Sequence, residues 1–371
     1  MFFAICGGSP GNFGVITHYT LEVHQSAHYM GKVEGPNGFK GPHGIKALWI
    51  YSEPVLRQLL TYVAEMADSD DVPRGFDVML SVMSTAFPIT HIFPSLRDAD
   101  ILEKVKDKIQ QHFADEFLTW LNGSFPANII LYASWCPTSP EDVYDEKVDA
   151  FFQRFRDLKG FFATQSLVFS EFDEDMAHMT KRWIMDKERE FDLPYVKRAY
   201  TTASNTLIRD NWVDTAVERI DLIYNEKHLL DDQRERYLSN KLVAQFQIYG
   251  GKFSQFRNNA GNGTSYAGRD TTLTQVLDCF HDDNAQAKAM AEEWQARNDE
   301  VMCGPEGTFS KNAERRTLWG SYGDWNLSDE KVWSKYYASR EVYERIGRAR
   351  GRADPHGTFT PNPFSVKRIL E

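Results

Sequence analysis

Long apolar runs, closely spaced cysteines and a surplus of positive charge are all missing from this sequence of 371 residues. No stretch reaches the ~20 consecutive apolar residues that a membrane-spanning helix needs, so no membrane is expected as a partner. The four cysteines, Cys6, Cys136, Cys279 and Cys303, stand far apart with no CxxC pair. That spacing excludes a zinc finger and a dense disulfide framework. The formal net charge is −11, which argues against nucleic acid and anionic membrane surfaces, since both demand a positive field. The basic stretch 345–352 reads as the solvated face of a helix. A nucleophile elbow, a Walker loop, an HExxH pair and an internal repeat are also missing. The start of the chain lacks the basic region and the apolar length of a signal peptide, which leaves the compartment unassigned. Sequons at Asn122, Asn262 and Asn326 fit a secreted protein, but such triplets arise often by chance.

What is present is a globular composition, 42% hydrophobic and 13% aromatic, enough for one large domain or two ordinary ones. Residues 15–24 alternate with a period of two and predict a half-buried strand. A Gly/Pro-rich loop follows over 31–43. Pro54 suits the first turn of a helix whose apolar stripe runs from Val55 to Met66. Further strands are expected at 76–84, 128–135, 166–172, 196–207, 242–249 and 273–280. Helices are expected at 98–120, 141–157, 210–225, 284–302 and 329–351. The alternation is irregular and lacks a βαβ period, which predicts an α+β fold: a central antiparallel sheet with helices on one side.

Three segments stand out. The first, Cys6-Gly-Gly-Ser-Pro-Gly-Asn-Phe-Gly-Val-Ile-Thr17, is rich in residues that let backbone approach a ligand. By itself it reads equally as a tight turn entering a strand, and it is no dinucleotide fingerprint because no helix follows it. The second runs out of an apolar strand as Tyr249-Gly-Gly-Lys and continues through an Asn/Gly loop to Arg269. Gly250-Gly251 would bend that strand, and loops at sheet ends often hold functional groups. The third joins Trp319-Gly-Ser-Tyr-Gly-Asp-Trp, the stretch 333–340 (WSKYYASR) and Asp354-Pro-His-Gly-Thr-Phe-Thr-Pro-Asn. Alone it reads as an amphipathic helix closed by a Pro-rich tail.

In this order and separation, the three together resemble the berberine-bridge-type FAD-linked oxidases, over nearly the whole chain from Phe3 to Arg368. The resemblance implies a remnant of an FAD-binding domain at 1–24, a substrate domain at 25–328 and a C-terminal segment at 329–371 that returns to the flavin side. It implies FAD as cofactor, with Gly8, Asn12, Gly14, Val15 and Asn362 along the cofactor. It also implies a small organic substrate and an FAD-binding domain largely missing from this chain or separately encoded. Members of the family are often secreted.

The departures bear on chemistry. The pyrophosphate loop and the covalent attachment residues of the family lie upstream of the glycine segment. Where many relatives place a glutamate base, this sequence offers Gln255, Asn258, Asn259 and Ala260, none of which is a base at neutral pH. Tyr249 and Tyr266 are the expected catalytic replacements, although a phenol needs a strongly lowered pKa to serve. Gln255, Asn262 and Tyr337 are expected to bind substrate. Two readings follow: an FAD-linked oxidase of secondary metabolism, as a partial chain, or a cofactor-free pocket that templates a non-redox cyclisation or cycloaddition by orientation. His281-Asp282-Asp283 lacks a third metal ligand at a recognisable spacing. Asp173-Glu174-Asp175 and Asp231-Asp232 read as helix N-terminal acids.

Overall fold

The computed structural model describes residues 1–7, 13–32, 41–84, 90, 94–100, 102–103, 126–161, 166–183, 193–224, 240–309, 315–317, 326–359, 363 and 365–370. Seven strands form one antiparallel sheet: β1 (His43–Ile50), β2 (Phe76–Met83), β3 (Asn128–Trp135), β4 (Ser166–Asp173), β5 (Tyr195–Thr202), β6 (Lys241–Ile248) and β7 (Leu273–Phe280). Their order across the sheet is β4-β1-β3-β2-β6-β7-β5, and every pairing is antiparallel. The interior strand β3 is buried along all eight residues, as a strand with cover on both faces must be.

One face of the sheet carries the main core. Ile45, Val78, Leu80, Leu131, Ala244, Phe246 and Leu277 point into it at one-in-two spacing. Against them pack α1 (Glu53–Asp68), α2 (Glu146–Phe161), α4 (Trp212–Tyr224) and α5 (Ala285–Cys303). The stripe on α1 comprises Val55, Leu56, Leu59, Leu60, Val63, Ala64 and Met66, the i, i+3/i+4 spacing of an amphipathic helix. Gln295 of α5 is fully buried, and its amide donates to the carbonyls of Val196 and Leu277 at 2.8 and 2.9 Å, which ties the helix to β5 and β7. The other face is more polar. Lys46, Asp77, Gln247, Thr274 and Thr201 fall there, at positions alternating with the core residues.

The expected α+β class and six of the seven strands match the structure to within a few residues. Strand β1 is an addition: it occupies residues between the expected loop and the first helix. Lys46 interrupts its apolar run, yet this lysine is 6% exposed and lies over the Tyr132 ring at 4.9 Å. Strand β5 stops at Thr202, where Thr202 Oγ1 accepts from the Ser204 amide and turns the chain. Helix α2 starts five residues later than expected. The Asp142 carboxylate takes the Thr138 and Ser139 amides in a preceding turn, and Asp145 caps the helix by accepting from Val148 N–H.

Two expectations need correction. Residues 15–24 form no strand: they run without a ladder partner, Val15 being 80% and Val23 86% exposed. A period-two pattern makes a strand only where a neighbour takes its hydrogen bonds, and no described strand lies beside this segment. The expected helix 329–351 is two helices, Glu330–Trp333 and α6 (Arg340–Ala353). Ser339 breaks it, because its side chain accepts from Val342 N–H as an N-cap. Most of the expected 98–120 helix and all of Asp231-Asp232 lie outside the described residues. Asp175, from the first acidic group, accepts from His178 N–H at the start of α3 (Met176–Trp183).

The two chain ends meet in a second, smaller core. Ala4, Leu327, Trp333, Tyr337, Tyr343, Ile346, Ala349 and Val366 are buried together, with Phe3 and Phe13 packed around them. The Arg345 guanidinium lies 3.7 Å from the Phe3 ring centroid.

Candidate active site

The site begins with parity on β6. Leu242, Ala244, Phe246 and Ile248 face the helices, so Tyr249 projects from the opposite face. Its hydroxyl donates to Thr274 Oγ1 at 2.9 Å, and its ring stacks on Phe256 at 4.3 Å. Gly250 at φ +70° then turns the chain so closely past β2 that a Cβ there would stand 2.8 Å from the Phe76 carbonyl oxygen. The loop returns through Tyr266, edge-on to Phe256 at 6.0 Å, with the Arg269 guanidinium over both rings at 5.4 and 4.9 Å.

The N-terminal segment closes on this loop. Ser265 N–H donates to the carbonyls of Phe3 and Cys6 at 2.9 and 3.0 Å. Gly7, at φ +116°, passes so near Tyr266 that a Cβ would lie 2.1 Å from its amide nitrogen. On the far side, residues 315–317 extend the sheet beyond β5: Arg316 bridges Tyr200, and Thr317 N–H donates to the Ala199 carbonyl at 2.9 Å. Arg316 N–H in turn donates to the Lys335 carbonyl at 2.8 Å, which carries Tyr336 and Tyr337 to the same place.

Between these walls lies a cleft of about 680 Å³, bordered by Tyr249, Tyr266, Tyr337, Thr201, Thr274 and Arg316 among others. One carboxylate holds its far wall. Asp299 accepts from Arg316 Nη1 at 2.6 Å, the Tyr200 hydroxyl at 2.6 Å and Arg198 Nε at 3.1 Å. Burial pushes its carboxyl up, but the two guanidiniums and the phenol outweigh that and hold it below the usual range. At the mouth, Asp270 accepts from Arg315 Nη2 at 2.7 Å and Nη1 at 3.4 Å.

Asp77 stands next to the cleft. Register pairs Val78 with Ile248, so one step further Asp77 faces Tyr249 across the strand gap. Gln247 Nε2 contacts its Oδ2 at 3.5 Å, and Oδ1 is buried without a hydrogen-bond partner among the described residues. Burial pushes this carboxyl up to about 7, against the smaller lowering effects of Gln247 and the Val78 amide.

Of the residues expected from sequence, Tyr249, Tyr266 and Tyr337 border one cleft. Gln255 lies elsewhere, accepting from Arg74 Nη2 at 2.7 Å, and Asn262 is exposed on the loop. The Gly250-Gly251 bend turns both away, which parity along the strand does not register. Gly14 has φ +138°, with the Phe359 ring 4.0 Å from where a Cβ would stand, and Val15 is on the surface. Gly8, Asn12 and Asn362 lie outside the described residues. A base role for Tyr249 meets an obstacle: burial, helped by neighbouring Tyr266 and Asp77, pushes its phenol up to about 12. It stays protonated at neutral pH, as a donor. Thr201, Thr274, Arg315, Arg316 and Asp77 carry no sequence motif, and only strand parity marks Thr274. Among the described residues no group of His, Cys, Asp or Glu would hold a metal; His281 turns to the Asp282 carbonyl at 2.8 Å.

FAD makes two demands, a place for its ring and a cradle of backbone N–H groups for its pyrophosphate. The cleft offers hydroxyls and aromatic edges for the first. For the second, the described helices of eight residues or more offer nothing open. Acidic residues occupy the first turns of α1, α2, α4 and α6, and Asp175 and Asn284 cap α3 and α5. The described residues do not fit the pyrophosphate.

The fold has solved counterparts. Glucooligosaccharide oxidase from Acremonium strictum, described with a 6-S-cysteinyl, 8α-N1-histidyl FAD, matches with a TM-score of 0.50 at 11% identity, over 89% of this chain and 56% of that one. Aclacinomycin oxidoreductase matches with a TM-score of 0.50 at 13% identity, again over 89% and 56%. This chain therefore spans little more than half the length of either protein. No family model matches the sequence, and no curated protein matches it. At such identities the likeness is one of architecture: this chain, with its seven-stranded antiparallel sheet, shares the fold of the corresponding part of these two oxidoreductases.

Proposed function

We propose that this chain supplies the substrate-facing part of an FAD-linked oxidoreductase acting on a small organic molecule of secondary metabolism. The observation that carries the reading is the convergence of Tyr249, Tyr266 and Tyr337, from three distant segments, on one cleft at the polar end of the sheet. A bound flavin would supply the redox chemistry, oxidation of an oxygen- or nitrogen-activated C–H with oxygen as final acceptor. Residues other than those described here would hold its pyrophosphate.

This chain's own contribution is orientation and hydrogen bonding. The Tyr249 phenol, its hydrogen engaged by Thr274, offers its oxygen as acceptor to a substrate hydroxyl or amine, while Tyr266 and Tyr337 fix the substrate from the loop and the C-terminal side. Asp77 lies behind Tyr249 and outside the cleft lining; its carboxyl, raised to about 7 by burial, sets the charge beside Tyr249 and is not the base of this reading. The test is hydrogen peroxide release by the protein, supplied with FAD, over a panel of alcohols and amines. Tyr249→Phe and Tyr266→Phe should each lower turnover about tenfold or more. Full turnover in both variants would refute the site. Absence of peroxide with every substrate, alongside unchanged cyclisation products, would favour the cofactor-free reading.

A further inference from the structure

The mouth of the cleft carries an ion pair that the reading above does not use. Arg315 extends both terminal nitrogens to Asp270, at 2.7 and 3.4 Å, the two-pronged approach by which guanidinium recognises a planar carboxylate. The partners differ in their surroundings. Arg315 is anchored: its carbonyl accepts from Thr201 N–H at 3.4 Å, and its side chain is 27% exposed. Asp270 ends the long loop after β6, and its side chain is 59% exposed. An exposed carboxylate gains little from such a pair, so an incoming one displaces it at small cost.

The surrounding charge has the same sign. Among the described residues bordering the cleft, Arg315, Arg316 and Lys335 are cationic and Asp270 alone is anionic. Behind the wall, Asp299 is shared by two guanidiniums, Arg198 and Arg316. Positive charge is thus gathered at one cleft of a chain whose net charge is −11, and a concave site focuses that field on an entering anion.

We propose that the cleft takes a small organic acid, whose carboxylate replaces Asp270 on the guanidinium of Arg315. The proposal rests on the cleft being the substrate site of the oxidase reading, and it narrows the substrate to a carboxylate-bearing molecule. No bond is made or broken; one carboxylate exchanges for another on the same donors. The remainder of the ligand then lies inward, along Thr201, Thr274 and Tyr249.

The experiment compares 4-hydroxybenzoate with 4-hydroxybenzamide, near-isosteric probes that differ in charge, by calorimetry or fluorescence titration of the intact protein. The acid should bind about tenfold tighter at low salt, and the preference should shrink as salt is raised. Arg315→Gln should abolish the preference and Arg315→Lys restore part of it. Asp270→Asn, at an exposed position where folding is insensitive, should strengthen binding of the acid several-fold by freeing the guanidinium. Equal binding of acid and amide, a preference that survives Arg315→Gln, an Asp270→Asn protein no tighter than wild type, or failure of both probes to bind would each overturn the proposal. A protein that selects the acid yet releases no peroxide with any substrate overturns the oxidase reading and leaves the anion site standing.

Discussion

At the scale of single residues, Gly7 and Asp77 are positions where this fold leaves little freedom. Gly7 combines a positive φ with a backbone neighbour at 2.1 Å from any added Cβ. Gly7→Ala should therefore loosen the N-terminal segment from the Tyr266 loop, costing about 1–3 kcal/mol in urea unfolding and raising protease sensitivity near the N-terminus. Asp77 is an acid whose folded pKa, about 7, lies above its unfolded one. Its protonated form is the one the fold favours, so its relative stabilisation is present at low pH and is lost as pH rises through 7. Asp77→Asn should leave stability nearly unchanged at pH 4 and raise it at pH 8, by roughly 2–4 kcal/mol. Thermal melts at the two pH values check the sign. The groups that share its surroundings are Cys136, Gln247 and Tyr249.

At the scale of elements, the cleft depends on how residues 315–317 and the C-terminal helices are held to β5. Asp299 on α5 is the common anchor, serving Arg198, Tyr200 and Arg316 at once. Asp299→Asn would leave two guanidiniums sharing a neutral amide. It should destabilise by on the order of 3 kcal/mol and speed amide exchange at Thr317, whose bond to Ala199 depends on that attachment. Ser339→Ala removes the N-cap of α6. It should cost about 1 kcal/mol, read as lower helicity and a lower Tm, without altering the sheet.

At the scale of the whole molecule, two cores of different size meet at the cleft. The larger lies between the sheet and its helices; the smaller gathers both chain ends. Among the described residues their backbone contact runs through Ser265 to Phe3 and Cys6, and through Thr317 to Ala199. Hydrogen exchange should therefore resolve two units. The main sheet should exchange last, while residues 1–7, 265–268 and 330–359 should open together at lower free energy. Uniform protection across both cores would contradict this arrangement. A coupled opening of this kind would also place ligand entry under control of the smaller core, because Tyr337 and Gly7 both border the cleft.

The sequence by itself determined what depends on local period and composition. Strands β2 and β6 are legible because apolar residues alternate there between recognisable breaks, β3 because it is a short apolar run, and a helix such as α1 because its stripe recurs at three and four residues. Tyr249 was assigned to the polar face by parity alone. Tertiary structure decided whatever depends on a neighbour remote in sequence. Residues 15–24 alternate like a strand and remain without a ladder, whereas β1, with a lysine in its middle, is buried between β3 and β4. The same reason governs the site. Asp77, Arg315 and Asp299 bear no motif, and they matter because antiparallel register and one edge bridge bring β2, residues 315–317 and α5 to the end of β6. Burial then sets their ionisation, and burial is a property of the folded chain and not of any residue in it.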